Sequence, residues 1–154
     1  MAIRILLVKD DAEAETVVNN LEQITGGRLQ VDRVRTIADG LIAATVKPPA
    51  AILLDLKLPN GVGVEVIRRF MGQCGSIPII VMTDLSYNEI DRQAIMEGAV
   101  GFVNKPIQSY SDLAWEIRKG MIIHERRPLY RPIEDTIARI EKTAIMQQKV
   151  LAKG

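Results

Sequence analysis

Six polar side chains stand where apolar runs stop. Asp10 and Asp11 follow the run 3–8, and Asp55 closes the run 51–55. Thr83 and Asp84 end the run 77–83, and Lys105 follows the run 100–104. Carboxylates, a hydroxyl and an ammonium gathered in one crevice can hold a cation and an oxyanion together. Two carboxylates with waters suit Mg2+, more so when a phosphoryl group supplies a further ligand. Thr83 can donate a hydrogen bond to a phosphoryl oxygen, and Lys105 can neutralise its charge. Asp55 is then the natural nucleophile, because an aspartate can form an acyl phosphate. One charge has the unexpected sign. The stretch "LLVKDDAE", residues 6–13, places Lys9 directly ahead of the two acids.

Whether these groups meet depends on the elements that carry them. The runs 3–8, 29–34, 51–55, 77–83 and 100–104 mostly lack a polar partner at every second position, which suits strands covered on both faces. Helix-length amphipathic segments lie near 11–25, 36–46, 62–72 and 87–97, and another begins after Ser109. Gly26-Gly27, Pro48-Pro49, Pro59-Asn60-Gly61 and Gly98 all fall in the connections. Repeated strand–helix units imply right-handed crossovers and an α/β sandwich around a parallel sheet. Five strands favour the doubly wound, flavodoxin-like order 2-1-3-4-5. In such a sheet ligands bind at the carboxyl ends of the strands, near the point where strand order reverses, and there the six polar residues sit. Strand 2 lies outside that point and offers nothing comparable.

A chain of 154 residues is one domain by size, and a net charge of +1 points to neither nucleic acid nor a membrane surface. The single cysteine, Cys74, has no His or Cys cluster beside it and reads as structural. No apolar stretch reaches the length of a membrane span and no signal peptide is visible, so a cytoplasmic protein is expected. After Pro106 the character changes. Ser109 or Ser111 can cap a helix containing Leu113, Trp115, Ile117 and Met121, and Pro128 and Pro132 then interrupt the chain. Ile133, Ile137, Ile140, Ala144, Gln147 and Leu151 form a short heptad seam that either packs on its own domain or pairs with a second copy. Arg126, Arg127 and Arg131 make a modest basic patch, read as solvated surface.

"ILLVKDD", "AILLDLKLPNG", "IPIIVMTD" and "GFVNKP" occur in that order and resemble the successive signatures of a bacterial two-component response regulator receiver domain, CheY-like in fold. The resemblance covers roughly residues 1–125 and leaves 126–154 as a linker and C-terminal helix. It implies that Asp55 accepts a phosphoryl group from a sensor histidine kinase or phosphotransfer protein. It implies Mg2+ bound by the side chains of Asp10 and Asp55 and by the backbone carbonyl of Lys57. Thr83 and Lys105 would contact the phosphoryl group, and Phe102 falls at the switch aromatic that turns inward when the threonine engages phosphate. The output would be a downstream protein target, with a homodimer through the fourth helix, fifth strand and fifth helix, or through the C-terminal helix, as a further possibility. Such a chain is a phosphoacceptor catalysing only its own phosphotransfer and dephosphorylation, not an enzyme with turnover.

Two residues depart from the family pattern. Lys9 stands where the first of two acids is usual, and a positive charge beside a dication is unfavourable. Three dispositions are open: Lys9 swings into water, it pairs with Asp55 and mimics part of the metal's charge, or the strand end shifts so that Asp10 and Asp11 form the acid pair. Weakened Mg2+ binding and slow phosphorylation follow. Asp84 occupies a position where the family is usually small, and it either obstructs an incoming donor or points outward. Together they keep a second function in view, a phosphate-independent scaffold with the receiver fold. Each residue also has an ordinary explanation: Asp11 as a helix cap, Lys105 as a solvated loop lysine, Phe102 as core, Trp115 as helix packing, His124 as exposed.

Overall fold

The computed structural model describes residues 2–59, 61–84, 94 and 97–125. Five strands, β1 (Ile3–Val8), β2 (Leu29–Val34), β3 (Ala51–Asp55), β6 (Ile79–Thr83) and β7 (Gly101–Asn104), form one sheet in the order β2-β1-β3-β6-β7. Every neighbouring pair is parallel. Counting only these strands, the order is the expected 2-1-3-4-5, and all five lie within the runs read from the sequence. Where the sequence announces only a turn, a two-stranded antiparallel hairpin forms, β4 (Lys57–Leu58) with β5 (Gly61–Val62).

Alternation along the strands sorts their side chains into two apolar layers. Leu6, Val8, Ile52, Leu54, Ile79 and Val81 face one side, where α2 (Ile37–Val46) and α3 (Val64–Cys74) cover them. Ile5, Leu7, Leu53, Ile80 and Met82 face the other, under α1 (Glu13–Ile24) and the helix over residues 110–125. Each helix presents residues spaced three and four apart: Ala14, Val17 and Leu21 on α1, and Val66, Ile67, Phe70 and Cys74 on α3. Burial on both faces explains why the strands read as unbroken apolar runs.

Local chemistry sets the helix starts. Thr36, in extended backbone, accepts from the Asp39 N–H at 3.0 Å and caps α2. Ser109 does the same for the Asp112 N–H at 3.2 Å. Asp11 accepts the Glu13 N–H at 3.0 Å, the capping role expected of it. Gly63 enters α3 at φ +79, a conformation open chiefly to glycine, and its N–H donates to the Leu56 carbonyl. Gly40 lets α2 close on α3, since a Cβ there would come 2.9 Å from the Phe70 ring.

Two expectations need correction. Trp115 does not pack its helix; it is 58% exposed, on the face turned away from Leu113 and Ile117. His124 is half-buried, with Nε2 at 2.7 Å from the Ser76 carbonyl, so it ties the end of its helix to the loop before β6. Cys74 is buried, and burial raises its thiol pKa, as a structural cysteine requires. The helix expected near 87–97 lies, apart from Ala94 and Glu97, outside the described residues. So do the linker, the basic patch and the heptad seam of 126–154.

Candidate functional site

Strand register brings the polar ends together. Val8 lies beside Leu54, so the next residues, Lys9 and Asp55, are neighbours. Asp55 pairs with Met82 and Thr83 with Asn104, which sets Thr83 and Lys105 at the same rim. The Lys105 N–H donates to the Thr83 carbonyl at 2.8 Å, fixing β7 against β6 where the lysine leaves the sheet. Lys9, Asp55 and Thr83 are the buried polar residues among those described, at 0%, 1% and 2% exposure.

Asp55 is held by charge. Its Oδ1 accepts from the Lys57 backbone N–H at 3.0 Å and from Lys105 Nζ at 2.8 Å. Its Oδ2 accepts from Lys105 Nζ at 3.0 Å and from Lys9 Nζ at 3.1 Å. Lys9 Nζ also contacts Asp11 Oδ2 at 3.0 Å and Glu13 Oε2 at 3.6 Å. Of the three dispositions open to Lys9, pairing with Asp55 is the one adopted. Burial alone would favour a neutral amine. The hydrogen bond with Asp11 and the charges of Asp55 and Asp11 outweigh it, and they hold Lys9 above the ordinary lysine range. Asp11 shows the mirror image. Its slight burial works upward, but the Lys9 hydrogen bond and charge hold it below the usual carboxylate range.

The strand end has not shifted to make a pair of Asp10 and Asp11. The Lys9 N–H donates to the Val34 carbonyl at 3.0 Å, continuing the β1–β2 ladder. Arg33, on β2, donates from Nε to the Lys9 carbonyl at 2.9 Å, and from Nη2 to the carbonyls of Asp10 at 2.8 Å and Asp11 at 3.2 Å. Strand 2 thus adds no group comparable to those at the rim, but its Arg33 anchors the backbone that carries Lys9, Asp10 and Asp11. Arg33 escaped notice because one arginine in the alternating "LQVDRV" looks like a solvated outward residue. Glu13 escaped because it reads as first-turn helix charge.

Asp10, Asp11, Glu13, Lys57, Asp84 and Lys105, whose ammonium holds Asp55, line an open cavity of about 700 Å3. The side chains of Asp10 and Asp84 are exposed at this cavity. Phe102 is half-buried and packs against the apolar layer that α2 and α3 cover.

Receiver domains generally bind Mg2+ at an acidic pocket of this kind, but the donors here do not fit that ion. Asp55 has about four lone-pair directions, and four N–H contacts occupy them. Among the described residues, no three His, Cys, Asp or Glu side chains stand together as a metal site. A dication about 4 Å from the Lys9 ammonium would meet repulsion of about 2 kcal/mol in water and about 8 kcal/mol at an effective dielectric near 20.

A buried aspartate closing the central strand of a five-stranded doubly wound sheet, with threonine and lysine at the next two strand ends, is the plan of a receiver. Residues 5–115 match the family model of the response regulator receiver domain, and the chain belongs to that family. The KDP operon transcriptional regulatory protein KdpE of Escherichia coli K12 is 30% identical over 102 residues, which are 66% of this chain and 44% of KdpE. A protein-glutamate methylesterase/protein-glutamine glutaminase of Thermotoga maritima is 29% identical over 143 residues, 84% of this chain and 40% of that enzyme. The chain therefore spans less than half the length of either relative. A CheY-like response regulator receiver domain protein of Methanospirillum hungatei JF-1 superposes with a TM-score of 0.69 at 23% identity, over 82% of this chain and 99% of that one. Among the described residues, no helix is long and apolar enough to cross a membrane.

Proposed function

We propose that Asp55 accepts a phosphoryl group from a sensor histidine kinase or phosphotransfer protein, and that the chain signals to a protein target by the resulting change of shape. The observation that supports this most directly is a nearly buried carboxylate held 2.8 Å from Lys105, which itself lines an open cavity. In the transfer, the bond from phosphorus to the histidine nitrogen breaks as a bond from phosphorus to an Asp55 oxygen forms. The electron pair leaves with the imidazole, which regains a proton from water. Lys105 moves its N–H groups from the carboxylate to the incoming phosphoryl oxygens, and the Thr83 hydroxyl donates to another. Drawing Thr83 inward makes room for Phe102 and alters the surface around β7, a local charge change biasing a two-state element. Output runs through that surface, to a downstream target or to a second copy of the chain. Intact-mass measurement after treatment with acetyl phosphate should show one phosphoryl adduct, absent from Asp55→Asn; no adduct on the wild-type chain would end the proposal.

A second reading has an observation of its own. Lys9 and Lys105 already neutralise Asp55, which suits a phosphate-independent scaffold that keeps the fold for binding. Fluoroberyllate separates the two, because only the phosphoacceptor should change its amide NMR spectrum around Thr83 and Phe102.

A further inference from the structure

Lys9 is fully buried although it carries a charge, and its ammonium has three N–H groups facing three carboxylates, those of Asp55, Asp11 and Glu13. A lysine without a task at a cavity rim would extend into water along its flexible stem. This one turns inward and takes the position beside Asp55 where a cation is needed. Its backbone is fixed on both sides, by its own N–H to Val34 and by Arg33 on its carbonyl. Both its location and its surroundings are therefore built.

We infer that Lys9 is the resident cation of this site, standing in place of a divalent metal and making the pocket indifferent to metal ions. The inference rests on reading Asp55 as the reactive residue. Lys9 stays on Oδ2, opposing the carboxylate's charge and orienting it, while Lys105, nearer the cavity, follows the phosphoryl oxygens. With acetyl phosphate as donor, the bond from phosphorus to the acetate oxygen breaks as the bond to Asp55 forms. The electron pair leaves with acetate, and neither a redox partner nor a proton is required. The two ammonium groups offset the charge that accumulates on the phosphoryl oxygens.

The test is a Mn2+ titration followed by the electron paramagnetic resonance of the unbound ion, on the wild-type chain, Lys9→Asp and Lys9→Met. The wild-type chain should show no saturable binding at the site. Lys9→Asp removes the competing charge and adds a ligand, so it should bind about tenfold tighter or more, with Lys9→Met between them. Saturable wild-type binding as tight as that of Lys9→Asp overturns the inference, and if the variants fold poorly, saturable one-site binding by the wild-type chain alone overturns it. Adduct formation by intact mass, run with EDTA and with Mg2+, should differ less than about twofold for the wild-type chain and should depend on Mg2+ in Lys9→Asp. A wild-type adduct that vanishes in EDTA also overturns it. If no adduct forms in any condition, the acceptor reading of Asp55 fails, and the Mn2+ curves still decide whether Lys9 excludes the metal.

Discussion

Within strand β3 the environment changes over a single peptide bond. Ile52, Leu53 and Leu54 are fully buried among apolar side chains; Asp55 is 1% exposed and contacts two ammonium groups. The interior of the sheet is held by the quantity of apolar surface removed from water, and many residue combinations of similar volume would serve. The carboxyl ends are held by geometry, because a buried charge is tolerable only with its partners in place. One region tolerates change in kind but not in volume; in the other, a change of charge costs according to which partners remain to offset what is left buried.

The largest effect should come from the interior. Leu53→Ala should lower stability by about 3 kcal/mol through lost burial and the cavity left behind, read as a shifted urea midpoint with unchanged slope. A loss comparable to that of a surface substitution would remove the contrast. Asp55→Asn comes next, at about 1–3 kcal/mol, because it strands Lys9 with only the partly exposed Asp11 and Glu13. A more stable Asp55→Asn would mean that the two ammonium groups do not offset the buried carboxylate. Lys9→Met should cost about 1 kcal/mol or less, since Asp55 keeps Lys105 and the Lys57 N–H while a flexible apolar chain fills the space.

The smallest effect is in pH dependence. Lys9 is held above the ordinary lysine range, so its stabilisation is complete below about pH 10 and is lost as pH rises through the higher folded value. Asp11 is held below the carboxylate range, so its share is present above about pH 4 and is lost as pH falls through the lower folded value. Melting curves of the wild-type chain and Lys9→Met should differ by a constant amount between about pH 5 and 9 and converge outside that window. A gap that varies across the window would locate the relevant titration elsewhere.

The strands were legible because burial on both faces leaves an unbroken apolar signature, and the polar ends were legible because parallel order puts them on one rim. The β4–β5 hairpin was not, since two-residue strands carry no periodicity and "PNG" announces only a turn. Lys9 was legible as an anomaly but not as a placement. Swinging out, pairing inward and shifting the strand end are close in cost for a flexible chain, and only the positions of Asp11, Glu13 and Arg33 separate them. Only Arg33 of those three acts through contacts distant in sequence, which no local pattern announces. Trp115 misled although the spacing held the answer: two residues from both Leu113 and Ile117, it stands about 200° around the helix from each.

Arg33 grips three carbonyl oxygens and no side chain at the turn after β1. The course of the main chain through positions 9–11 is therefore anchored without regard to what those positions carry. Such an anchor decouples the scaffold from its chemistry: an acid and a lysine can trade places at position 9 while the loop keeps its path, provided the planar fork of position 33 is retained.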